Sequence, residues 1–406
     1  MKKLSRILLC VILMVALGTG CAVAPVAPTV EPEPETTAAT EWVLDMTVEP
    51  RRYEGVSLTF LAMWEETSPE AKVLTQAAEV FEFETGAKVE IFWPQDGKDQ
   101  GDIFQLPGGA VADRLDQLLD LTELAETAGY GEKSYPRLSA QVVERYGHLA
   151  AIPQIPYVTG FYYNRETFQT SGVIQSPTNW ADFRVVCEML TAGGWLPVTL
   201  NSELMDEMLM MHLSQYLGAE EAQRIAAEGG WKSEKAAAAA ADLWDFASTG
   251  QVGFSGQNKV TLSNAAITYG TNALCRQAEE AALVDLEWGM FPYPEVDGGE
   301  QVIGVDADVL AISGDCINPQ AAFDFIMLLV TGEFDQLRAD LTVGIPADPE
   351  NISPIAGADQ ALNLTQVVDP IKVQWTEKQL EVIKKLWTGK YQESDGFSKA
   401  MDTFYP

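Results

Sequence analysis

Residues 56–93 spell out a strand, a capped helix and a second strand, and this order restricts the fold more than any other feature of the chain. The segment GVSLTFLAMW concentrates β-branched and aromatic residues at 56–62, a strand composition. Ser68 then stands where a helix N-cap belongs, Pro69 takes the first helical position and Glu70 lies in the first turn, each a preferred residue there. Val73, Leu74, Ala77, Ala78, Phe81 and Phe83 predict a buried helix stripe. Gly86 ends it, because a left-handed cap is easiest without a Cβ. Residues 88–93 form the second strand. A β-α-β opening implies an α/β fold with parallel strands and helices on the sheet faces. Ligands on such sheets bind beyond the carboxyl ends of the strands, so the loop Met63-Trp64-Glu65-Glu66 is expected at the rim of a cleft.

The alternation continues. Residues 103–106 read as a short buried strand just after Asp102, and helical patterns follow over 111–121. An aromatic strand follows in GHLAAIPQIPYVTGFYYNRETF. Asn179 caps a helix with Asp182 as its reciprocal partner, and Gly193-Gly194 stops it. Residues 197–200 form another strand, helices run on through Leu217, and 234–247 is an alanine-rich helix by propensity. Trp180 and Trp244 fall on core positions of their helices. The 406 residues suffice for two domains.

Acidic residues outnumber basic ones 59 to 26, a net charge of −33. That excess excludes a nucleic-acid partner, whose phosphates need Lys and Arg, and disfavours adsorption to anionic lipid heads. With only two histidines, His148 and His212, a His-rich metal site is not expected. Neither a P-loop nor GxGxxG occurs, so no nucleotide cofactor is expected, and the acidic spacing Asp96, Asp99, Asp102 does not suit a Ca²⁺ loop.

At the amino terminus Lys2, Lys3 and Arg6 precede an apolar run over residues 7–17, then Gly18, Thr19, Gly20 and Cys21. This is the layout of a secretory signal, too short to span a bilayer. Its end resembles the bacterial lipobox, although Gly18 stands where a large aliphatic residue is preferred. The resemblance implies cleavage after residue 20 and lipidation of Cys21. Residues 21–53, with Pro25, Pro28, Pro32 and Pro34 among Ala, Thr and Glu, read as a tether. Three cysteines remain beyond it. Cys187 reads as a small core hydrophobe, and a bridge between Cys275 and Cys316 is left open.

The motifs Tyr163-Asn164-Arg165-Glu166-Thr167-Phe168, Ser171-Gly172, Pro177 and Asn179-Trp180-Ala181-Asp182-Phe183 occur in that order. They are accompanied by GDIFQ at 101–105, AIP at 151–153, NAAITYGTN at 264–272, MFPYP at 290–294 and DADVLAIS from Asp306. From about Gly55 to about residue 390 the chain resembles the extracellular solute-binding proteins of ABC importers, the maltose-binding type. The resemblance implies a periplasmic-binding-protein-like class II fold, with two α/β lobes and a ligand cleft between them. It assigns residues 54–157 plus 307–345 to one lobe and 158–306 plus 346–406 to the other. Hinge crossings are expected at 157–160, 306–308 and 344–346. The implied function is a non-enzymatic, monomeric receptor, lipid-anchored on the extracytoplasmic face of a bacterial cell membrane. It would capture a mono- or oligosaccharide by lobe closure and deliver it to the permease subunits of an ABC importer.

A sugar offers vicinal hydroxyls, which carboxylates and amides bind, and an apolar face on which aromatic rings stack. At strand ends and matched positions the candidates are Trp64, Glu65, Asp102, Gln105, Tyr157, Trp231, Tyr269, Asn272 and Asp306, with Trp64 and Trp231 as stacking residues. Asn272 stands where the family commonly carries an aromatic, which implies a smaller or more polar ligand face. Only PQDGKDQG separates Trp93 from Asp102, whereas a parallel crossover ordinarily needs a dozen or more residues. The alternatives are a secreted carbohydrate-active enzyme with paired carboxylates such as Glu65 and Asp102, or a receptor for a non-sugar solute such as a peptide.

Overall fold

The computed structural model describes residues 51–255, 265–282, 286–296, 298–364 and 373–405. The signal segment, Cys21 and nearly all of the tether lie outside them. Among the described residues nine strands join in one sheet: β1 (Ser57–Leu61), β2 (Lys88–Phe92), β3 (Ile103–Pro107), β4 (Ile152–Asn164), β5 (Leu196–Asn201), β6 (Val252–Ser255), β7 (Ala265–Thr271), β8 (Trp288–Phe291) and β9 (Gly304–Ile312). Their order is β2-β1-β3-β9-β4-β7-β5-β6, with β8 also paired to β4. β1 is parallel to β2 and β3, and β5 is parallel to β6 and β7. Between these two parallel groups run β4 and β9, antiparallel to each other and to their outer neighbours.

The opening β-α-β unit forms as its sequence dictates. Ser68 Oγ accepts the Ala71 N–H at 3.0 Å, Pro69 begins the helix Pro69–Thr85, and Gly86 closes it at φ 81°. Val73, Leu74, Ala77, Ala78 and Phe81 are buried. Phe83 is not: it is 79% exposed, because a position two residues past Phe81 turns to the far side of a 3.6-residue helix. Residues 111–121 also depart from expectation, forming a 3₁₀ helix over Gly108–Gln117.

The short link between β2 and β3 is accommodated by register. Phe60 and Leu61 of β1 face Ile91 and Phe92 of β2 on one side and Ile103 and Phe104 of β3 on the other. β3 therefore starts level with the end of β1. The chain leaving β2 crosses above that end, through a single 3₁₀ turn at Pro94–Asp96, without descending the length of a strand. No crossover helix is needed.

Three apolar clusters pack against this sheet. One gathers Leu58, Phe60, Leu74, Phe81, Leu310, Phe325 and Ile326, so its residues come from two stretches far apart in the chain. A second gathers Phe161, Phe183, Leu200, Leu209, Leu243, Ile383 and Trp387, again from two distant stretches. The third includes Val158, Tyr162, Cys275, Trp288, Val305, Ala307 and Val309, around the middle of β4 and β9. Trp180 is buried in the second cluster and Trp244 packs against it, half-buried. Cys187 is buried there, and Cys187, Cys275 and Cys316 are all free thiols. The Cys275–Cys316 bridge is absent.

Candidate functional site

β4 and β9 meet with Tyr157 opposite Asp306 and Ile155 opposite Asp308. Because strand side chains alternate, Asp306 and Asp308 share one face of β9. Tyr157 donates its hydroxyl hydrogen to Asp308 Oδ2 at 2.7 Å. Burial pushes the Asp308 carboxyl up to about 6; Asp306 and Glu70 add to the rise, while the Tyr157 hydrogen bond and Arg338 oppose it. The Tyr157 phenol is raised too, first by burial and then by the Asp308 charge. Three acids, a phenol and a guanidinium thus act on one another electrostatically where the two central strands pair.

Glu70 approaches this floor from the first turn of the helix Pro69–Thr85 and is only 8% exposed. Its Oε1 is ion-paired with Arg276 Nη1, which comes from the helix Ala273–Ala282 after β7. Glu70 Oε2 is buried and has no hydrogen-bond partner in the protein. Arg276 Nε is held in turn by Glu280 Oε1 at 3.0 Å. Arg338, 2% exposed, gives Nη2 to Asp335 Oδ1 at 2.6 Å and to the Ile345 carbonyl at 2.8 Å. Its Nε and Nη1 are buried without protein partners. Asp335 also accepts the Ala347 and Asp348 N–H groups. Between Arg338 and Ile345 sits Val343 at φ 51°, the only non-glycine described residue with positive φ, a strained setting for a β-branched side chain.

The residues singled out by sequence fall into three groups. Tyr157 and Asp306 lie side by side on the floor. Trp64, half-buried, and Glu65, exposed, lie in the loop after β1, whose Met63 N–H is held by Gln105 Oε1 at 3.1 Å. Gln105 is buried, and its amide nitrogen donates to Gln154 Oε1 at 2.6 Å, so both ends of its amide are already bonded within the protein.

The third group is structural, correcting four expectations. Asp102 Oδ2 accepts the Thr59 N–H at 2.8 Å and the Thr59 hydroxyl at 2.7 Å; it locks β3 to β1. Trp231 is 0% exposed, edge-on to Phe397 at 5.4 Å with Trp375 at 6.3 Å, so no ring face is free to stack. Tyr269 is buried between Phe161 and Tyr293. Asn272 Oδ1 accepts the Val158 N–H at 2.9 Å, and its Nδ2 donates to the Pro156 carbonyl at 3.1 Å. The amide grips the backbone on both sides of Tyr157 and continues the β4–β7 ladder past its last backbone pair. Paired catalysis by Glu65 and Asp102 is not supported, since Asp102 Oδ2 is spent on Thr59 in joining β3 to β1.

Sequence reasoning missed Glu70, Asp308, Arg276 and Arg338 as site residues. In sequence Glu70 is a first-turn acid, which the helix dipole explains by itself, and Asp308 is part of an expected hinge crossing. Nothing local distinguishes Arg276 or Arg338. Among the described residues no cluster of His, Cys, Asp and Glu could hold a metal ion, and no helix is long and apolar enough to cross a membrane.

Residues 82–331 match the family of bacterial extracellular solute-binding proteins. The chain belongs to that family. Its members are non-catalytic solute-binding proteins of ABC importers, which answers the enzyme alternative. No curated protein matches this solute-binding protein by sequence. Among solved structures it is similar to the apo form of RafE from Streptococcus pneumoniae, at 16% identity and a TM-score of 0.66 over 86% of this chain and 97% of that one. It is also similar to maltose-bound MalE3 of T. maritima, at 16% identity and a TM-score of 0.57 over 86% and 98% of the two chains. A sugar transporter of Bacillus licheniformis in complex with stachyose gives 16% identity and a TM-score of 0.54 over 86% and 99%. At these identities the likeness establishes the periplasmic-binding-protein fold.

Proposed function

We propose that this solute-binding protein captures a carbohydrate, mono- or oligosaccharide, by closure of two lobes and hands it to an ABC import permease. The lobes are residues 54–157 plus 307–345 and residues 158–306 plus 346–406. Cys21 carries a lipid that anchors the monomer on the extracytoplasmic face of the cell membrane, and residues 21–53 are its tether. The observation that carries the reading is the floor formed by Tyr157, Asp306 and Asp308, with Glu70 near it and ion-paired to Arg276. Carboxylate oxygens and guanidinium N–H groups together match a hydroxyl, which both donates and accepts. Supporting it, solved relatives of the same fold hold maltose and stachyose. A ligand touching both lobes favours the closed state by its differential affinity. The left-handed Val343 beside residues 344–346 suits a hinge, since strain at such a joint narrows the gap between two conformations. Trp64 remains the stacking candidate.

A second reading has one observation behind it: Glu70 and Arg276 would also match the charged termini of a short peptide. Calorimetric titration with maltotriose, raffinose, stachyose, chitin oligosaccharides and a tripeptide separates the two. Saturable heat with a saccharide and none with the tripeptide is the expected result. Saturation by the tripeptide alone overturns the carbohydrate assignment.

A further inference from the structure

Glu70 and Arg276 belong to different packing units. The helix Pro69–Thr85 buries Leu74, Ala77 and Phe81 in the cluster around β1 and β2, whereas the helix Ala273–Ala282 buries Cys275 and Ala278 in the cluster around the middle of β4 and β9. Their ion pair joins side chains 206 residues apart in sequence. The Glu70 side chain is 10% exposed and that of Arg276 34%, so water screens the pair less than a surface one. One carboxylate oxygen is consumed by Arg276; the other is buried beside the Tyr157–Asp308 floor with no protein donor. A buried acceptor of this kind is costly unless something donates to it.

We infer that Glu70 is a ligand-binding carboxylate of this cleft, taking an O–H or N–H donor of the ligand on Oε2, and that Arg276 is its positioning residue and a clasp between the two halves. The inference rests on the cleft reading above and deepens it. Arg276 fixes the rotamer of Glu70 and neutralises part of its charge, so the free oxygen is presented at low entropic cost. Since the guanidinium reaches Glu70 only when the two helices are close, the same pair favours the closed arrangement before ligand arrives. A ligand donor on Oε2 then adds to a contact already formed, so that binding and closure reinforce each other. An acidic ligand is disfavoured here, because Glu70 and Asp306 both add to the negative potential at Asp308.

The test uses the full chain and variants Glu70→Ala, Glu70→Gln, Arg276→Met, Arg276→Lys and, as an exposed control on the same helix, Glu79→Gln, with thermal melts to verify folding. Maltotriose, raffinose, stachyose and chitin oligosaccharides are titrated by calorimetry. For whichever binds the unmodified protein, Glu70→Ala weakens affinity at least tenfold and Glu79→Gln leaves it unchanged. Arg276→Lys lies between the unmodified protein and Arg276→Met. In the absence of saccharide, small-angle scattering gives a larger radius of gyration for Arg276→Met than for the unmodified protein, and 0.5 M salt shifts the unmodified protein the same way. Saccharide binding that survives Glu70→Ala intact overturns the inference and leaves the carbohydrate reading standing. If no saccharide binds the unmodified protein, it is the carbohydrate reading that fails, and scattering decides the clasp: an unchanged radius in Arg276→Met overturns it.

Discussion

Tyr157 lies opposite Asp306 in the β4–β9 ladder yet gives its hydroxyl hydrogen to Asp308, 2.7 Å away and two residues along the partner strand. The diagonal matters because it ties one acid, Asp308, into the sheet, while the other, Asp306, accepts the adjacent Ala307 N–H. Equivalent residues at alternate positions on one strand thus acquire different chemistry. Asp308 is buried, with its carboxyl pushed up to about 6, and Asp306 stays half-exposed.

That setting predicts a pH signature. The Asp308 carboxyl titrates from its ordinary 3.8 when the chain is unfolded and from about 6 in the fold. Between these values the folded protein binds more protons, so this group's contribution to stability falls as the pH rises through that window. The groups facing it are Tyr157, Asp306, Arg338 and Glu70. Asp308→Asn keeps an acceptor for Tyr157 and removes the charge. It stabilises the protein at pH 7 by about 1–3 kcal/mol and by almost nothing at pH 3.5, read from urea midpoints at the two values. An equal effect at both would refute the assignment.

Asn272 makes two backbone hydrogen bonds that flank Tyr157. Asn272→Ala leaves a buried N–H and a buried carbonyl unsatisfied and destabilises by about 2–4 kcal/mol. Amide exchange at Val158 accelerates relative to that at Phe161, which keeps its ladder partners. Uniform acceleration along β4 would mean that the side chain does not pin the strand locally.

The Trp231 ring is enclosed, with its backbone N–H on Asp402 Oδ1 at 2.8 Å. Trp231→Ala opens a cavity and costs about 3–5 kcal/mol, seen as a lowered melting temperature. Trp231→Phe folds and keeps saccharide affinity within about twofold, because the ring supplies packing and not a stacking face. A large affinity loss in a well-folded Trp231→Phe would restore its sequence-level assignment.

Asp335 is the buried counter-charge of Arg338 and also collects the Ala347 and Asp348 N–H groups. Asp335→Ala strands a guanidinium that is 2% exposed and destabilises by about 3–5 kcal/mol. Replacing both residues, as Asp335→Ala with Arg338→Met, recovers part of that loss. Failure of the double variant to recover anything would show that the N–H contacts, and not the charge pair, dominate.

Local chemistry sufficed for the elements. The Ser68 cap, the Gly86 stop, the Asn179–Asp182 cap and the strands at 56–62 and 88–93 depend on residues a few places apart, and the sequence contains all of them. The family likewise rests on an ordered set of such local motifs. The short link after Trp93 was not interpretable locally, because its solution is the two-residue overlap of β3 with β1. The candidate site was less legible still. Asp102, Gln105 and Asn272 have polar atoms suited to a ligand, but Thr59 takes one Asp102 oxygen, Met63 and Gln154 take the Gln105 amide and the β4 backbone takes the Asn272 amide, and each of those partners lies 42 or more residues away. Glu70 is in sequence only a first-turn acid, and nothing local marks Arg276. A side chain's hydrogen-bonding capacity is written in its residue type, but whether that capacity is spent inside the protein depends on which distant groups packing brings within 3 Å, and only the tertiary structure decides that.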